Sequence, residues 1–210
     1  VSMGYSAFDN LPPDFSSFLI AHVAEQVAAS TENNIWQGAA GAGSFDGLEV
    51  LGAAQITAGQ QIAGIASLAS NVIDEMGKVI DAIPTTVYGS EGLTLYVSSN
   101  IARNYVRALG GFSVAATSNA GTDNKGTQWY SNGSLSYDGI PVFVCNGMND
   151  DTMMAAQVSN LYFGTSLLSD LQEARVVDVS QYDGSDNIRV IMRMSAGCQI
   201  GVADDCVLYQ

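Results

Sequence analysis

Residues 11–38, LPPDFSSFLIAHVAEQVAASTENNIWQG, open on two prolines and close on a tryptophan and a glycine. Proline is favoured in the first turn of a helix and glycine just past its last turn, so the pattern predicts one helix over 14–36. At about 1.5 Å per residue this helix is roughly 33 Å long, about the width of a small domain. We interpret it as an assembly element that runs along an edge of the fold. Its apolar residues recur at steps of four, as on one side of a helix: Phe15, Leu19, Val23 and Val27.

The composition indicates a folded chain with hidden surface. Of its 210 residues, 47% are hydrophobic and only 13% are charged, about half the usual charged share for a globular domain. So few charges on an apolar chain suggest surface that is covered by neighbouring subunits. A monomer with a surface rich in Ser, Asn and Gly remains the alternative on composition alone.

The charge balance argues against nucleic-acid recognition. The chain has 21 Asp and Glu against 7 Lys and Arg, a net charge of −14. Binding to phosphate backbones requires a basic patch that releases counterions, and no such patch is evident in the sequence. If the chain lies near DNA, its acidic surface repels it.

Cysteine usage and hydropathy limit the cellular setting. Cys145, Cys198 and Cys206 have no metal-ligand spacing, and we expect free buried thiols rather than a disulfide between the last two. Free thiols favour a reducing compartment. No apolar run approaches the roughly 20 residues of a membrane span, and no signal peptide opens the chain.

The remaining elements are predicted from spacing and from turn residues. A glycine-rich loop with a short apolar return is expected over 39–52, and 56–66 is either strand or loop. Helices are expected over 67–83 and from 98 to 109, and a long loop over 112–128. Because helices come early and strands late, the class is α+β. Strands or strand pairs are predicted over 93–97, 135–146, 153–165, 198–202 and 207–209, with a hairpin of 174–180 and 187–194.

The sequence offers little that points to catalysis. His22 is the only histidine and lies on the apolar side of the first predicted helix, so we interpret it as a packing residue. The segment 41–47, GAGSFDG, follows a helix, whereas a dinucleotide-binding loop must join a strand to a helix. We therefore predict no catalytic residue, no cofactor and no metal.

Carboxylate pairs leave one enzymatic alternative open. They lie at Asp150-Asp151 and Asp204-Asp205, with Asp183 and Asp186 in the predicted hairpin turn. Solvated turns explain them best, but the separation of two carboxylates is a three-dimensional quantity, so a carboxylate-dependent hydrolase stays possible. Arg189 and Arg193 share one face of a predicted strand, where they bind an anion or form salt bridges to a neighbouring subunit, and we favour the second.

The order of elements resembles that of the major capsid proteins of tailed bacteriophages of the Hong Kong 97 type. In that family a long helix leads to an apolar-x-Gly motif and a Gly-Leu return, as here at Ile35-Trp36-Gln37-Gly38 and Gly47-Leu48. Residues 71–109 are similar to the family's next helix, strand and capped helix. The segments 137–144, YDGIPVFV, and 160–164, NLYFG, resemble its Gly-x-Pro-Val strand and its apolar-Phe-Gly segment, and the closing hairpin fits its C-terminal part.

The resemblance implies an α+β fold of the Hong Kong 97 type, with a spine helix, a peripheral domain that carries a long β-hairpin, and a mixed α/β axial domain. The peripheral domain corresponds to 1–60 and 168–198, with the spine helix over 14–36. The axial domain corresponds to 61–167 and 199–210. The family's N-terminal arm and extended loop are absent from this chain, so we expect a monomer or a small ring in solution.

The resemblance also implies a structural role without enzymatic activity. The partners are copies of the chain, as pentamers and hexamers, together with a portal and a scaffold or protease during assembly. The shell encloses double-stranded DNA without sequence-specific binding and without a membrane, and it is made in the host cytoplasm. An encapsulin-like nanocompartment shell is the alternative within the same fold. The residues expected at contacts between subunits are Phe15, Phe18, Leu19, His22, Val23, Trp36, Arg189 and Arg193.

Overall fold

The computed structural model describes residues 15–41, 43–109, 135–165, 174–178, 184, 188–192 and 195–210. The contacts divide the chain into two compact units. One consists of Val1–Thr31 and Gly164–Gly197, and the other of Glu32–Phe163 and Cys198–Gln210. The first boundary falls inside the first helix, and the assignment of the peripheral and axial domains stays a prediction.

The long N-terminal helix is confirmed. Helix α1 spans Phe15–Gln37 and is 23 residues long. It ends where the sequence changes to glycine, since the amide of Gly38 still donates to the carbonyl oxygen of Asn34. The predicted range of 14–36 was therefore offset by one residue at each end.

The predicted loop over 39–52 is wrong in its second part, because Leu48–Gln55 forms helix α2. The loop was predicted because glycine is rare inside helices, and this helix contains Gly52. A Cβ at Gly52 would lie 3.2 Å from the Leu208 side chain and 3.3 Å from that of Ile56. Glycine therefore serves close packing here rather than chain flexibility.

The next helix begins later than expected. Helix α3 spans Val72–Asp81, whereas the spacing predicted a start near residue 67. The side chain of Asn71 accepts a hydrogen bond from the amide of Leu68 and donates one to the carbonyl oxygen of Ala66. These bonds satisfy the backbone of the preceding loop without helix. Helix α4, Ser99–Leu109, follows its predicted strand as expected.

The unit of Glu32–Phe163 and Cys198–Gln210 contains the strands β1 (Gln61–Ile62), β2 (Leu93–Ser98), β3 (Leu135–Tyr137), β4 (Ile140–Cys145), β5 (Met153–Gln157) and β10 (Val207–Tyr209). These six strands form one sheet in the order β1-β10-β5-β2-β4-β3. β2 pairs in parallel with β4, and β1 with β10, whereas the other pairs are antiparallel. The predicted α+β class is confirmed.

Both faces of this sheet are covered, since alternate residues of a strand point to opposite sides. Leu95, Val142 and Ala155 pair across three strands and belong to the core cluster that α3 and α4 cover. Tyr96 and Met154 point the other way, into a second cluster that includes the end of α1 and part of α2. The sheet thus supports helices on both sides.

Four further strands form two small sheets. β6 (Leu161–Thr165) pairs with β9 (Ala196–Ile200). β7 (Ala174–Asp178) pairs antiparallel with β8 (Ile188–Met192), with Ala174 opposite Met192, which confirms the predicted hairpin. The predicted loop over 112–128 lies outside the described residues.

Candidate assembly surface

The C-terminal end of α1 is held in the core of its own chain. Trp36 is only 7% exposed, and its ring centroid lies 5.4 Å from that of Tyr96 on β2. The side-chain amide of Gln37 donates to the carbonyl oxygen of Gly147 at 2.8 Å. Little of Trp36 is therefore left for a contact with a second subunit, which was its expected role.

Three glycines allow other segments to approach this helix end closely. A Cβ at Gly47 would overlap the backbone of Trp36, and one at Gly38 would overlap the carbonyl oxygens of Asn34 and Phe45. A Cβ at Gly147 would lie 2.5 Å from the carbonyl oxygen of Glu32. Backbone atoms cannot move aside as a flexible side chain does, so glycine is needed at each position. The motif residues Gly38 and Gly47 therefore allow other backbone segments to pack closely against the end of α1.

The preceding part of α1 is not buried. Every residue over 20–31 is exposed or half-buried, although the stretch contains Ile20, Val23 and Val27 on its apolar side. All three are half-buried, and His22 is exposed. The side chains of Phe15, Phe18 and Leu19 lie outside the described residues. The helix thus presents part of an apolar side that its own chain leaves incompletely covered.

A second apolar surface surrounds the segment NLYFG. We use the name NLYFG patch for four residues near this segment that are each about half exposed: Val158 at 58%, Tyr162 at 58%, Phe163 at 48% and Val202 at 52%. Tyr162 and Phe163 are consecutive in β6, so they point to opposite sides of the strand. Asn160 positions this patch, because its side-chain amide donates to the carbonyl oxygen of Val202 and accepts from the amide of Val202, at 2.8 and 2.7 Å. The sequence indicated the motif but not that its aromatic residues face outward.

Two arginines that the sequence analysis did not single out line a groove. Arg103 and Arg107 lie one turn apart on α4, and both are exposed. With Ala102, Val106, Val144 and Asn146 they line a groove of about 420 Å³. The spacing of four on a predicted helix was the available signal. Of the predicted pair, Arg189 on β8 is exposed, and the side chain of Arg193 lies outside the described residues.

One carboxylate of each described pair, Asp151 and Asp204, accepts hydrogen bonds that stabilise a turn. Asp151 accepts hydrogen bonds from the amide of Ser67 and the side chain of Asn100, at 3.0 and 2.8 Å. Asp204 accepts from the hydroxyl of Thr57 at 2.7 Å. Asp183 and Asp186 lie outside the described residues. Within the described ranges, no three His, Cys, Asp or Glu side chains come together as a metal site requires.

One buried carboxylate has a structural network of its own. Glu75 on α3 is 5% exposed, accepts from Lys78 at 2.7 Å and from the hydroxyl of Tyr209 at 2.9 Å. The hydrogen bond from Lys78 is the main reason that the pKa of Glu75 is lowered, with Tyr209 adding to it against the cost of burial. Burial is the main reason that the pKa of Tyr209 is raised. The network joins α3 to the last strand.

The three cysteines are free thiols, as predicted. Cys145 and Cys206 are buried and Cys198 is half-buried. Burial raises the pKa of Cys145 to about 12 and that of Cys206 to about 11. Thiols that stay protonated are poor nucleophiles.

No helix within the described part of the chain is both long and apolar enough to cross a membrane.

The fold defined by this sheet, its helices and the long helix α1 is that of phage capsid proteins. The chain is similar to a structure described as "Capsid of empty GTA particle computed with C5 symmetry", with a TM-score of 0.65 and 15% identity over 98% of the chain. It is also similar to "Satellite phage P4 procapsid including size determination (Sid) protein", with a TM-score of 0.65 and 9% identity over 99% of the chain. A structure described as "Mycobacterium phage Che8" gives a TM-score of 0.56 and 16% identity over 89%.

The predicted resemblance to a phage capsid fold is thereby confirmed at the level of structure. The chain spans 60% of the length of the Che8 structure, 69% of the GTA capsid protein and 67% of the P4 procapsid protein. Neither a protein-family profile nor a curated protein sequence matches it.

Proposed function

We propose that this protein is the major subunit of a phage-type capsid, a structural protein that assembles with copies of itself into a closed shell around double-stranded DNA. The observation that carries the proposal is the fold: 98% of the chain superposes on the capsid of a GTA particle. Shells of this kind sum many modest contacts by symmetry.

The surface of the chain is consistent with this role. Helix α1 and the NLYFG patch leave apolar side chains half exposed on a chain with few charges. Several large apolar side chains that are half exposed near one another in the chain are the kind of surface that an interaction site uses. We therefore propose that Val23 and its neighbours on α1, with Phe15, Phe18, Leu19, His22 and Arg189, contact other subunits.

The finer parts of the proposal follow from the same role. The subunits form pentamers and hexamers, and a portal with a scaffold or protease takes part in assembly. The net charge of −14 keeps the inner surface from binding the packaged DNA. The protein is made in the host cytoplasm and resides in the virion, and it acts without catalysis.

Two alternatives make different predictions. A nanocompartment shell has the same fold but encloses an enzyme cargo, so its gene lies beside a cargo enzyme rather than beside a portal and a maturation protease. A carboxylate-dependent hydrolase requires converging acids. Asp151 and Asp204 instead bind backbone and hydroxyl groups at turns, which weighs against it.

Electron microscopy of the protein as its gene encodes it tests the proposal. We expect rings, sheets or closed shells, because each subunit carries surface that only copies of itself cover. Assay of the same sample against ester, glycoside and peptide substrates is expected to show no turnover. A protein that stays monomeric under every condition, including co-expression with its neighbouring genes, contradicts the proposal.

A further inference from the structure

The groove beside α4 is the least expected feature of an acidic chain. Arg103 and Arg107 are two of only 7 basic residues, yet they stand together on the same side of one helix. Arg107 donates to the side chain of Asn104 at 3.2 Å. Among the described residues, the one ion pair joins Lys78 to Glu75, so neither guanidinium has an acidic partner there.

The shape and lining of the groove suit a peptide segment that carries carboxylates. Two guanidinium groups offer planar pairs of donors that match carboxylate oxygens. The side chains of Ala102, Val106 and Val144 add apolar lining to the groove, and Ser99 and Asn146 add polar lining.

The same unit carries such a segment at a different place. Asp138 is at the tip of the turn between β3 and β4, with a left-handed φ of 48°. The hydroxyl of Tyr137 donates to the carbonyl oxygen of Ile73 on α3 at 2.9 Å, which brings the neighbouring Asp74 beside this turn. Burial raises the pKa of Tyr137, and the charges of Asp138, Asp74 and Asp81 raise it further. All three carboxylates are exposed. We call this set the acidic edge.

The groove and the acidic edge do not pair within one subunit. Tyr105, between the two arginines on α4, packs against Tyr137 with ring centroids 5.8 Å apart, but it is buried, whereas both arginines and Asp138 are exposed. Among the described residues, neither arginine forms an ion pair with Asp74, Asp81 or Asp138. Two complementary patches at different places on one subunit are the requirement for a head-to-tail contact, which generates a ring when its rotation closes.

Resting on the proposed capsid function, we propose that the Arg103–Arg107 groove binds the acidic edge of a second copy of this chain within a ring of subunits. The charge of the chain gives the reason. Copies with a net charge of −14 repel one another, and a contact that brings cations against carboxylates offsets this repulsion and fixes the orientation of the partner.

A matched pair of variants tests the groove. The substitutions Arg103→Gln and Arg107→Gln remove two positive charges. The control Ala53→Glu with Ala54→Glu adds two negative charges at exposed positions of α2, so both variants change the net charge equally. The yield of rings or shells, counted by electron microscopy, is expected to fall more than about tenfold for the groove variant only.

A rescue experiment identifies the occupant. The variant Arg103→Glu, Arg107→Glu is expected not to assemble, and adding Asp74→Lys and Asp81→Lys to the same chain is expected to restore rings. Because all four side chains are exposed, the thermal midpoint of each variant is expected to stay within a few degrees of the wild type. A large loss of thermal stability indicates a partner within the same chain and overturns the proposal.

Three further results overturn it in distinguishable ways. Wild-type protein that assembles while the groove variant assembles equally well overturns this inference and leaves the proposed function intact. Wild-type protein that never assembles overturns both. Fluorescence anisotropy with a short DNA duplex is expected to show no binding, and binding that the groove variant loses identifies phosphate, not a second copy, as the occupant.

Discussion

The side-chain amide of Gln37 lies 2.8 Å from the carbonyl oxygen of Gly147 and donates a hydrogen bond to it. These residues are 110 positions apart in sequence, and the bond joins the last turn of α1 to the loop that follows β4. Because Trp36 is buried beside this bond, the helix end is fixed to the sheet.

The close approach at Gly147 predicts a large effect of a single methyl group. In Gly147→Ala the new Cβ meets the backbone of Glu32 at 2.5 Å, and the free energy of unfolding is expected to fall by about 2 kcal/mol. Urea unfolding measures this change. Gly59→Ala is the control, since nothing lies within 4 Å of its Cβ position, and a change within about 1 kcal/mol is expected. Equal effects at both glycines contradict the packing argument.

Trp36 and Phe143 both contact Tyr96 but differ in burial, at 7% and 59% exposed. Trp36→Ala is expected to lower the free energy of unfolding by about 3–5 kcal/mol, because it leaves a cavity. Phe143→Ala is expected to cost less than about 1 kcal/mol, since most of its ring is already in water. Thermal and urea unfolding compare the two. A small effect at Trp36 would show that the helix end is not fixed as described.

The half-buried apolar side of α1 predicts a defect in assembly rather than in folding. Val23→Asp with Val27→Asp is expected to reduce the yield of rings or shells by more than about tenfold, with a thermal midpoint close to that of the wild type. The control Ala21→Asp with Ser30→Asp places the same charges at exposed positions of the same helix and is expected to assemble. Unfolding of the first variant, or assembly by it, argues against α1 as a contact surface.

The thiols predict selective labelling. Cys145 and Cys206 are 2% and 0% exposed, and pKa values of about 12 and 11 keep them protonated at mildly alkaline pH. A thiol reagent is expected to modify only Cys198 in the native protein and all three cysteines after denaturation. Cys198→Ser is expected to abolish the native reaction. Rapid native labelling of either buried cysteine would be inconsistent with the core described here.

Glu75 predicts a loss of stability in acid. Its pKa in the folded chain is lowered from the ordinary value of 4.5, so the folded state binds fewer protons than the unfolded state as pH falls below that value. The stabilising contribution of the carboxylate is therefore fully present at neutral pH and declines below about pH 4.5.

The variant Glu75→Gln tests this expectation by urea unfolding across that range. At neutral pH the free energy of unfolding is expected to fall by about 2 kcal/mol, and the difference from wild type is expected to shrink in acid. Glu91→Gln, at an exposed position, is the control and is expected to show no such trend. A difference that is independent of pH would contradict the lowered pKa.

Elements that depend on interactions between neighbouring residues were predicted correctly from the amino-acid pattern. The step of four along α1, the helix expected from 98 to 109, and the expected hairpin of 174–180 and 187–194 each depend on residues a few positions away, and the structure has a helix or a strand pair at each place. The order of these elements was also enough to indicate the fold, because short motifs such as Trp36-Gln37-Gly38 and Gly47-Leu48 mark where backbones pack together.

Which side chains of those elements are buried depends on how the elements pack together in three dimensions. Trp36 belongs to the core and Phe143 does not, although both are aromatic residues in apolar stretches, because burial depends on segments that are distant in sequence. Leu48–Gln55 is a helix because packing on β10 outweighs the weak helix propensity of its glycine. Arg103 and Arg107 line a groove only because Val144 on β4 and Asn146, just after β4, lie beside α4.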